Sequence, residues 1–294
     1  MKILLLGSKG QVGQAVQELS QNEGFPIGWS LTAWDREDCD LSDSKALTSK
    51  IEILMPGAII NAAAYTQVDQ AESDRELCSK INAEAPGALA QYCKAHAIPL
   101  VHYSIDYVYE GSGTHEHTES ERLHPSGYYG ETKARGDQAI AQSECEYLIF
   151  RTSWVYSHTG KNFVKTMLKL GSERPELKVV NDQIGSPTYA PDLAKHSLDA
   201  LMLALEAKVN QQKFPSGVYH VCNSGITSWC DFAKAIIPKC NVIGIPTSEY
   251  PTPAQRPLNS RLSLSKLKSS FGISPRPWQI ALKDCLKRLG SQDV

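Results

Sequence analysis

No run of about 20 apolar residues occurs anywhere in the chain, so no segment reads as a membrane-spanning helix. The apolar start, Met1-Lys2-Ile3-Leu4-Leu5-Leu6-Gly7, gives way to glycine and polar residues too early for a signal peptide. Eight cysteines are present, yet they form no Cys-x-x-Cys pair and no Cys/His zinc spacing, which excludes the usual zinc and dithiol motifs. Several, such as Cys93 after Tyr92 and Cys222 after Val221, have hydrophobic neighbours, as expected of reduced thiols in the cytoplasm. Basic runs are missing too, and the formal net charge is only −2, which argues against nucleic acid or a membrane surface as partner. Neither an internal repeat nor a low-complexity tract is found. A soluble, cytoplasmic globular protein is expected.

What is present is an alternation. Short apolar runs at Ile3–Leu6, Ser30–Trp34, Ala58–Asn61, Leu100–Ser104 and Tyr147–Arg151 read as strands. Between the first two, Val12, Ala15, Val16 and Leu19 recur at one helical face over Gln11–Leu19. Further helices are expected over Ser44–Leu54, Ala83–Ala95 and Thr132–Gln142. Nearly continuous apolar strands alternating with helices predict an α/β chain with a Rossmann-type, doubly wound parallel sheet. After Trp154 the pattern loosens into a helix at Asn162–Leu170, a strand at Leu177–Asn181 and a helix at Pro191–Leu205. Prolines then crowd in at 238, 246, 251, 253, 257, 275 and 277, which suits a smaller, irregular lobe. The expected division is residues 1–154 as the dinucleotide domain and 155–294 as a substrate lobe, with 188–222 returning to the sheet.

Gly7-Ser8-Lys9-Gly10-Gln11-Val12-Gly13 follows a strand and opens a helix, the context that a dinucleotide fingerprint requires. Gly7 allows the tight turn, Gly10 admits a pyrophosphate to the backbone, and Gly13 permits close helix–strand contact. Asp35 ends the second strand, where an acid would accept from a ribose hydroxyl and favour NADH. Lys9 and Arg36 could instead meet a 2′-phosphate and favour NADPH. The two signals conflict, so use of either NADPH or NADH is expected. Asp40 and Leu41 follow, either flanking the adenine or simply beginning a helix.

Tyr129-Gly130-Glu131-Thr132-Lys133 places Tyr and Lys at i and i+4, on one face of a helix. A free phenol, with a pKa near 10, is a poor acid–base group at neutral pH. A neighbouring ammonium is expected to lower that value and make Tyr129 a usable acid or base.

With these segments in place, the chain resembles the extended short-chain dehydrogenase/reductases, and within them the dTDP-4-dehydrorhamnose reductases. The matching segments span nearly the whole chain. They include Gly7–Gly13, Asn61–Thr66 with Val68, Asp69, Ala71 and Glu72, Tyr103–Tyr109, Tyr129–Lys133, Arg151–Tyr156, Asn181-Asp182-Gln183 with Gly185, and Tyr250–Leu262. The resemblance implies reduction of the 4-keto group of a dTDP-sugar for cell-surface polysaccharide. It implies Tyr129 as proton donor with Lys133 as its partner. Gly10, Gln11 and Val12 would meet the pyrophosphate, and Asp40 and Leu41 the adenine side. Ala63, Ala64, Tyr65, Thr66 and Tyr103 would meet the nicotinamide half. Ile105, Asp106 and Trp154 would face the sugar, with Gln183 and Arg256 reaching the diphosphate or thymidine.

One residue departs from the family pattern Ser-Thr-Asp-Tyr-Val-Phe: here Ser104-Ile105-Asp106-Tyr107-Val108-Tyr109 puts isoleucine where the hydroxyl belongs. Ser104 is adjacent but points to the opposite face of the strand. This leaves three alternatives beside the rhamnose-forming reductase. They are a reductase of another dTDP-4-keto deoxysugar, such as a dihydrostreptose-like one, a non-catalytic subunit like the methionine adenosyltransferase regulatory subunit, and a UDP-sugar epimerase. Among other candidate residues, His102, His115, His117 and His124 invite a metal reading. His115 and His117, however, lie in the polar stretch Gly113–Glu121 and read as a solvated loop. Some relatives dimerise around a metal ion whose acidic ligands do not map onto Leu289–Val294. A homodimer is compatible with the sequence, and no metal is expected.

Overall fold

The computed structural model describes residues 1–22 and 25–290. The apolar runs form strands β1 (Lys2–Leu6), β2 (Ser30–Trp34), β3 (Ala58–Asn61), β4 (Leu100–Ile105) and β5 (Tyr147–Thr152). Between them lie helices α1 (Gln11–Ser20), α2 (Ser44–Leu54), α3 (Arg75–Ser79), α4 (Ala85–His96) and α5 (Tyr128–Gln142). The second half adds β6 (Val155–Tyr156), α6 (Phe163–Glu173), β7 (Glu176–Val180), β8 (Ile184–Gly185), β9 (Thr188–Tyr189) and α7 (Ala190–Val209). It ends with β10 (Gly217–His220), β11 (Thr227–Ser228), α8 (Trp229–Ile236), β12 (Asn241–Ile245), β13 (Asn259–Ser260), α9 (Ser265–Phe271) and α10 (Trp278–Arg288).

The main sheet is wholly parallel, in the order β10-β5-β4-β3-β1-β2. Alternate strand residues face opposite sides. Ile3, Leu5, Ile60, Val101, Leu148 and Phe150 pack with Ala15 and Val16 of α1 and Leu193 and Leu201 of α7. Leu4, Leu6, Ile59, Leu100 and Ile149 pack with Leu47 of α2, Leu89 of α4 and Ile140 of α5. Each buried Leu- or Ile-sized side chain contributes about 1.5–3 kcal/mol, so burial on both faces anchors the strand ends on which the loops are built.

Two helices begin earlier than the sequence suggested. The helix expected from Ala83 starts at Arg75 and runs through a π-helical turn, Lys80–Glu84, into α4. The one expected from Thr132 starts at Tyr128, after an extended Gly127. In the rest of the chain β7 pairs with β12, β8 with β11 and β13, and β6 with β9. Met167, Leu177, Phe232, Trp278 and Leu282 form the core there.

His117, expected in a solvated loop, is only 2% exposed. Its N–H donates to the Arg261 carbonyl and its carbonyl accepts from Ser263 N–H, which pins it alongside residues 261–263, far along the chain. His115 and His124 are exposed. All eight cysteines are unpaired. No helix among the described residues is long and apolar enough to cross a membrane. Residues 291–294, the end of the C-terminal stretch considered for metal ligands, lie outside the described residues.

Candidate active site

The glycine loop has the geometry that its spacing demands. Gly7 sits at φ +83°, where only glycine is unstrained. A Cβ on Gly13 would lie 2.1 Å from the Gly7 carbonyl oxygen, so α1 can approach β1 only as it stands. Gly10 offers no capping side chain, leaving the first N–H groups of α1, at Gln11, Val12 and Gly13, without a side-chain cap. Such a helix start attracts an anion. The Gln11 side chain turns aside instead, accepting from Asn162 Nδ2 at 3.0 Å and donating to the Val155 carbonyl at 3.4 Å. It ties the glycine loop to the second half of the chain.

A cavity of about 870 Å³ opens beside this loop, lined by Gly7, Gly10, Asp35, Asp40, Leu41 and Ala63–Thr66 among others. Its dimensions and its bare helix start fit the adenosine and pyrophosphate of a dinucleotide. The cations at its rim are paired. Lys9 Nζ lies 2.6 Å from Asp35 and 3.3 Å from Glu37, and Arg36 Nε lies 3.3 Å from Asp40. The Lys9 ammonium holds the Asp35 carboxyl below the usual carboxylate range. Asp40 also accepts from Ser42 N–H, and Leu41 packs into the core. Asn82, on the π-turn, grips Tyr65 by both backbone groups, its Oδ1 accepting from Tyr65 N–H at 2.9 Å and its Nδ2 donating to the Tyr65 carbonyl at 3.1 Å. Thr66 is exposed.

The inner face of α5 buries Tyr129, Thr132, Lys133 and Asp137. Tyr129 packs with Tyr65, Ala71, Cys78 and Ile105, and the Tyr107 ring meets it edge-on at 5.9 Å. Lys133 Nζ donates to the Tyr103 carbonyl at 2.6 Å and faces His102 Nε2 at 3.2 Å. Asn61 Oδ1 accepts from Ala63 N–H, and Asn61 Nδ2 lies 3.1 Å from His102 Nδ1. Burial pushes the Lys133 ammonium down to about 8, against the opposing pull of Asp137 and Cys78.

The expected lowering of the Tyr129 pKa is not found. Burial, followed by the influence of Tyr107, Asp106 and Cys78, raises the phenol above its usual value. Desolvation opposes a phenolate, and the Lys133 ammonium is committed to the Tyr103 carbonyl.

Ile105 is extended, at φ −144° and ψ 162°, and its side chain packs beside Tyr129 and Tyr107. Ser104 is committed elsewhere, its hydroxyl donating to Asp137 at 2.9 Å beside the buried Arg151–Asp137 pair. Asp106 is 2% exposed, and burial raises its carboxyl to about 7. The Tyr103 ring lies in the core against Phe150, so only its carbonyl reaches Lys133.

A second cavity, of about 770 Å³, is lined by Phe163, Met167, Gln183, Trp229, Tyr250 and Arg256 among others. Segment 65–70 runs between the two cavities, with Gln67 and Gln70 on the first and Asp69 on the second. Arg256 Nη2 donates to Asp69 at 2.7 Å, while its Nη1 is buried with no hydrogen-bond partner among the described residues. Gln183 Nε2 donates to Thr247, whose own hydroxyl and N–H donate to Asp182. Trp154 adopts φ +49° and stacks on Trp229 with ring centroids 3.8 Å apart. Sequence reasoning missed Trp229, Phe163 and Asn82. The only local signal was a tryptophan directly after Ser228, a residue that could cap a helix.

Comparison with known proteins places these features in a family. The family described as RmlD substrate binding domain matches residues 1–291. A dTDP-4-dehydrorhamnose reductase of Burkholderia thailandensis is 40% identical over 99% of this chain and all of its own length. A crystal structure of a dTDP-4-dehydrorhamnose reductase from Clostridium acetobutylicum superposes with TM-score 0.89 at 34% identity, covering 99% of this chain and all of that one. Another, from Bacillus anthracis in complex with NADP, has TM-score 0.86 at 34% identity, covering 97% and 98% of the two chains.

Proposed function

Since the chain belongs to the RmlD substrate binding domain family, we propose that it reduces the 4-keto group of dTDP-4-dehydro-L-rhamnose to give dTDP-L-rhamnose, using NADPH or NADH. The observation that carries this reading is a buried Tyr129, packed against Tyr65 at the head of the 65–70 segment between the two cavities. One cavity suits a dinucleotide. The other offers stacked aromatics and the spare Arg256 donor that a nucleoside diphosphate would use.

A bound reduced nicotinamide would supply the hydride. Tyr129 then gives its phenolic proton to the substrate oxygen as the ketone becomes an alcohol. The raised pKa suits this direction, because the phenol stays protonated at neutral pH until the alkoxide develops. Lys133, protonated below about 8, stabilises the phenolate left behind, and solvent restores the proton. Gln11, Val12 and Gly13 N–H groups hold the pyrophosphate. Asp35, Asp40 and Leu41 bound the adenosine, with Ala63–Thr66 on the nicotinamide side. Trp154, Gln183 and Arg256 hold the dTDP-sugar, with Asp106 beside them. Ile105 favours a second reading, reduction of another dTDP-4-keto deoxysugar, because the carbonyl loses one hydrogen-bond donor.

The test is oxidation of NADPH and NADH with a panel of 4-keto dTDP-sugars, with the product identified by NMR. Turnover of 4-dehydrorhamnose supports the first reading, and turnover restricted to another sugar supports the second. Binding of cofactor without turnover of any sugar would overturn both.

A further inference from the structure

Away from both cavities, three side chains converge in a way that reduction does not use. We propose that His115, His117 and Glu121 form a binding site for one divalent transition-metal ion of the zinc class. Their ligand atoms, one from each residue, all lie within 4.8 Å of one another. His117 Nδ1 is 2.7 Å from Glu121 Oε2, and His115 Nε2 is 3.6 Å from Glu121 Oε1. Zinc bonds to imidazole nitrogen and carboxylate oxygen are about 2.0–2.2 Å, so modest side-chain adjustments would seat an ion among the three.

The arrangement around His117 points to a ligand as well. Its second nitrogen, Nε2, lies 3.3 Å from the Asn259 carbonyl. Without an ion, His117 Nδ1–H donates to Glu121. An ion that displaces this proton leaves Nδ1 as a lone pair with the N–H on Nε2, where the Asn259 carbonyl holds it, as in metal-ligating histidines. The ring is clamped by Tyr109, stacked at 4.7 Å and 3°. Glu121 is fixed too, since its Oε1 accepts from Thr118 N–H. The cluster lines an open cavity of about 430 Å³ with Glu110, Arg122 and His124, which leaves room for a water in the fourth position. Two imidazoles and one carboxylate suit zinc, nickel or copper rather than magnesium or calcium.

An ion there would have a structural consequence. Asn259 donates from its backbone N–H to the Gly111 carbonyl, and from Nδ2 to the carbonyls of Ser112 and His115. The metal would clip the 110–124 segment onto the strand that follows Arg256.

The test uses the untagged full chain, stripped with chelator and titrated calorimetrically with zinc chloride. The expected result is about one equivalent bound with Kd ~10 μM or tighter, and a melting temperature that rises with zinc concentration. Losing even an outer-shell partner weakens metal sites by about 10–100-fold. His115→Ala, at an exposed position that threatens no core packing, is therefore expected to weaken binding by at least tenfold, and Glu121→Gln likewise. A cobalt spectrum free of thiolate charge-transfer bands would support the nitrogen–oxygen ligand set. Absence of saturable binding, affinity unchanged in His115→Ala, or a thiolate band would each overturn the proposal. Absence of binding would reduce His117 and Glu121 to a hydrogen-bonded pair.

Discussion

Lys9 Nζ lies 2.6 Å from Asp35 Oδ2, so the cation of the glycine loop is paired with the acid at the end of β2. The residue that would attract a 2′-phosphate is thus restrained by the residue that would hold a ribose hydroxyl. Dissociation constants for NADPH and NADH are expected within roughly tenfold of each other, a gap of about 1.4 kcal/mol. Asp35→Asn removes the nearer of the two carboxylates facing Lys9, leaving Glu37, and replaces a charged ribose acceptor with a neutral one. It is expected to shift the ratio toward NADPH by about tenfold or more, measured by calorimetric titration. An unchanged ratio would contradict this role for the pair.

The buried Lys133 sets a pH limit. Its ammonium is lowered to about 8, so the charged form is complete below that value and lost as pH rises through it. Tyr129, shifted upward, stays protonated over the same range. The rate of the chemical step is therefore expected to fall above about pH 8, approaching tenfold per pH unit. Single-turnover rates between pH 6 and 10 check this. A profile flat to pH 10 would mean that the Lys133 charge is not required.

Much of this arrangement could be read from the sequence, and what escaped has a common cause. Ile3–Leu6 and Ala58–Asn61 sit in strands because a doubly covered parallel strand is apolar at successive positions, a signal carried within each run. Tyr129 and Lys133 were legible because four-residue spacing alone puts them on one face. The Tyr129 pKa was not, since burial by Tyr65, Ala71 and Ile105 depends on distant segments. Burial of His117 depends on Asn259 and Arg261, more than 140 residues away. The start of α3 was hidden because the Lys80–Glu84 π-turn interrupts the 3.6-residue period.

Ile105 bears on rate rather than fold. A preorganised donor to a developing oxyanion is worth roughly 2.7–4 kcal/mol, or 10²–10³ in rate. Ile105→Thr keeps a β-branched side chain on extended backbone and is expected to raise kcat at least about tenfold. It removes apolar packing beside Tyr129, with a stability loss on the order of 1 kcal/mol that a thermal melt reads separately. An unchanged or lower kcat would mean that the polarisation is already supplied without a hydroxyl at this position.

Arg256 is expected to act on binding. A hydrogen bond to a charged group contributes about 1.5–3 kcal/mol, so Arg256→Ala should raise KM for the dTDP-sugar by about tenfold or more while affinity for the cofactor is retained. Steady-state kinetics beside cofactor titration would separate the two. Equal loss of both would place Arg256 in the general stability of the 65–70 segment, through Asp69.

The central claim is that the Tyr129 phenol delivers the proton. The most direct measurement is single-turnover oxidation of NADPH by Tyr129→Phe with saturating dTDP-4-dehydro-L-rhamnose, run beside a cofactor titration. The substitution keeps the packing against Tyr65 and Tyr107 and removes only the hydroxyl. The rate is expected to fall by about 10²–10⁴-fold with the Kd for NADPH nearly unchanged. A Tyr129→Phe protein that retained the parent rate would contradict the account.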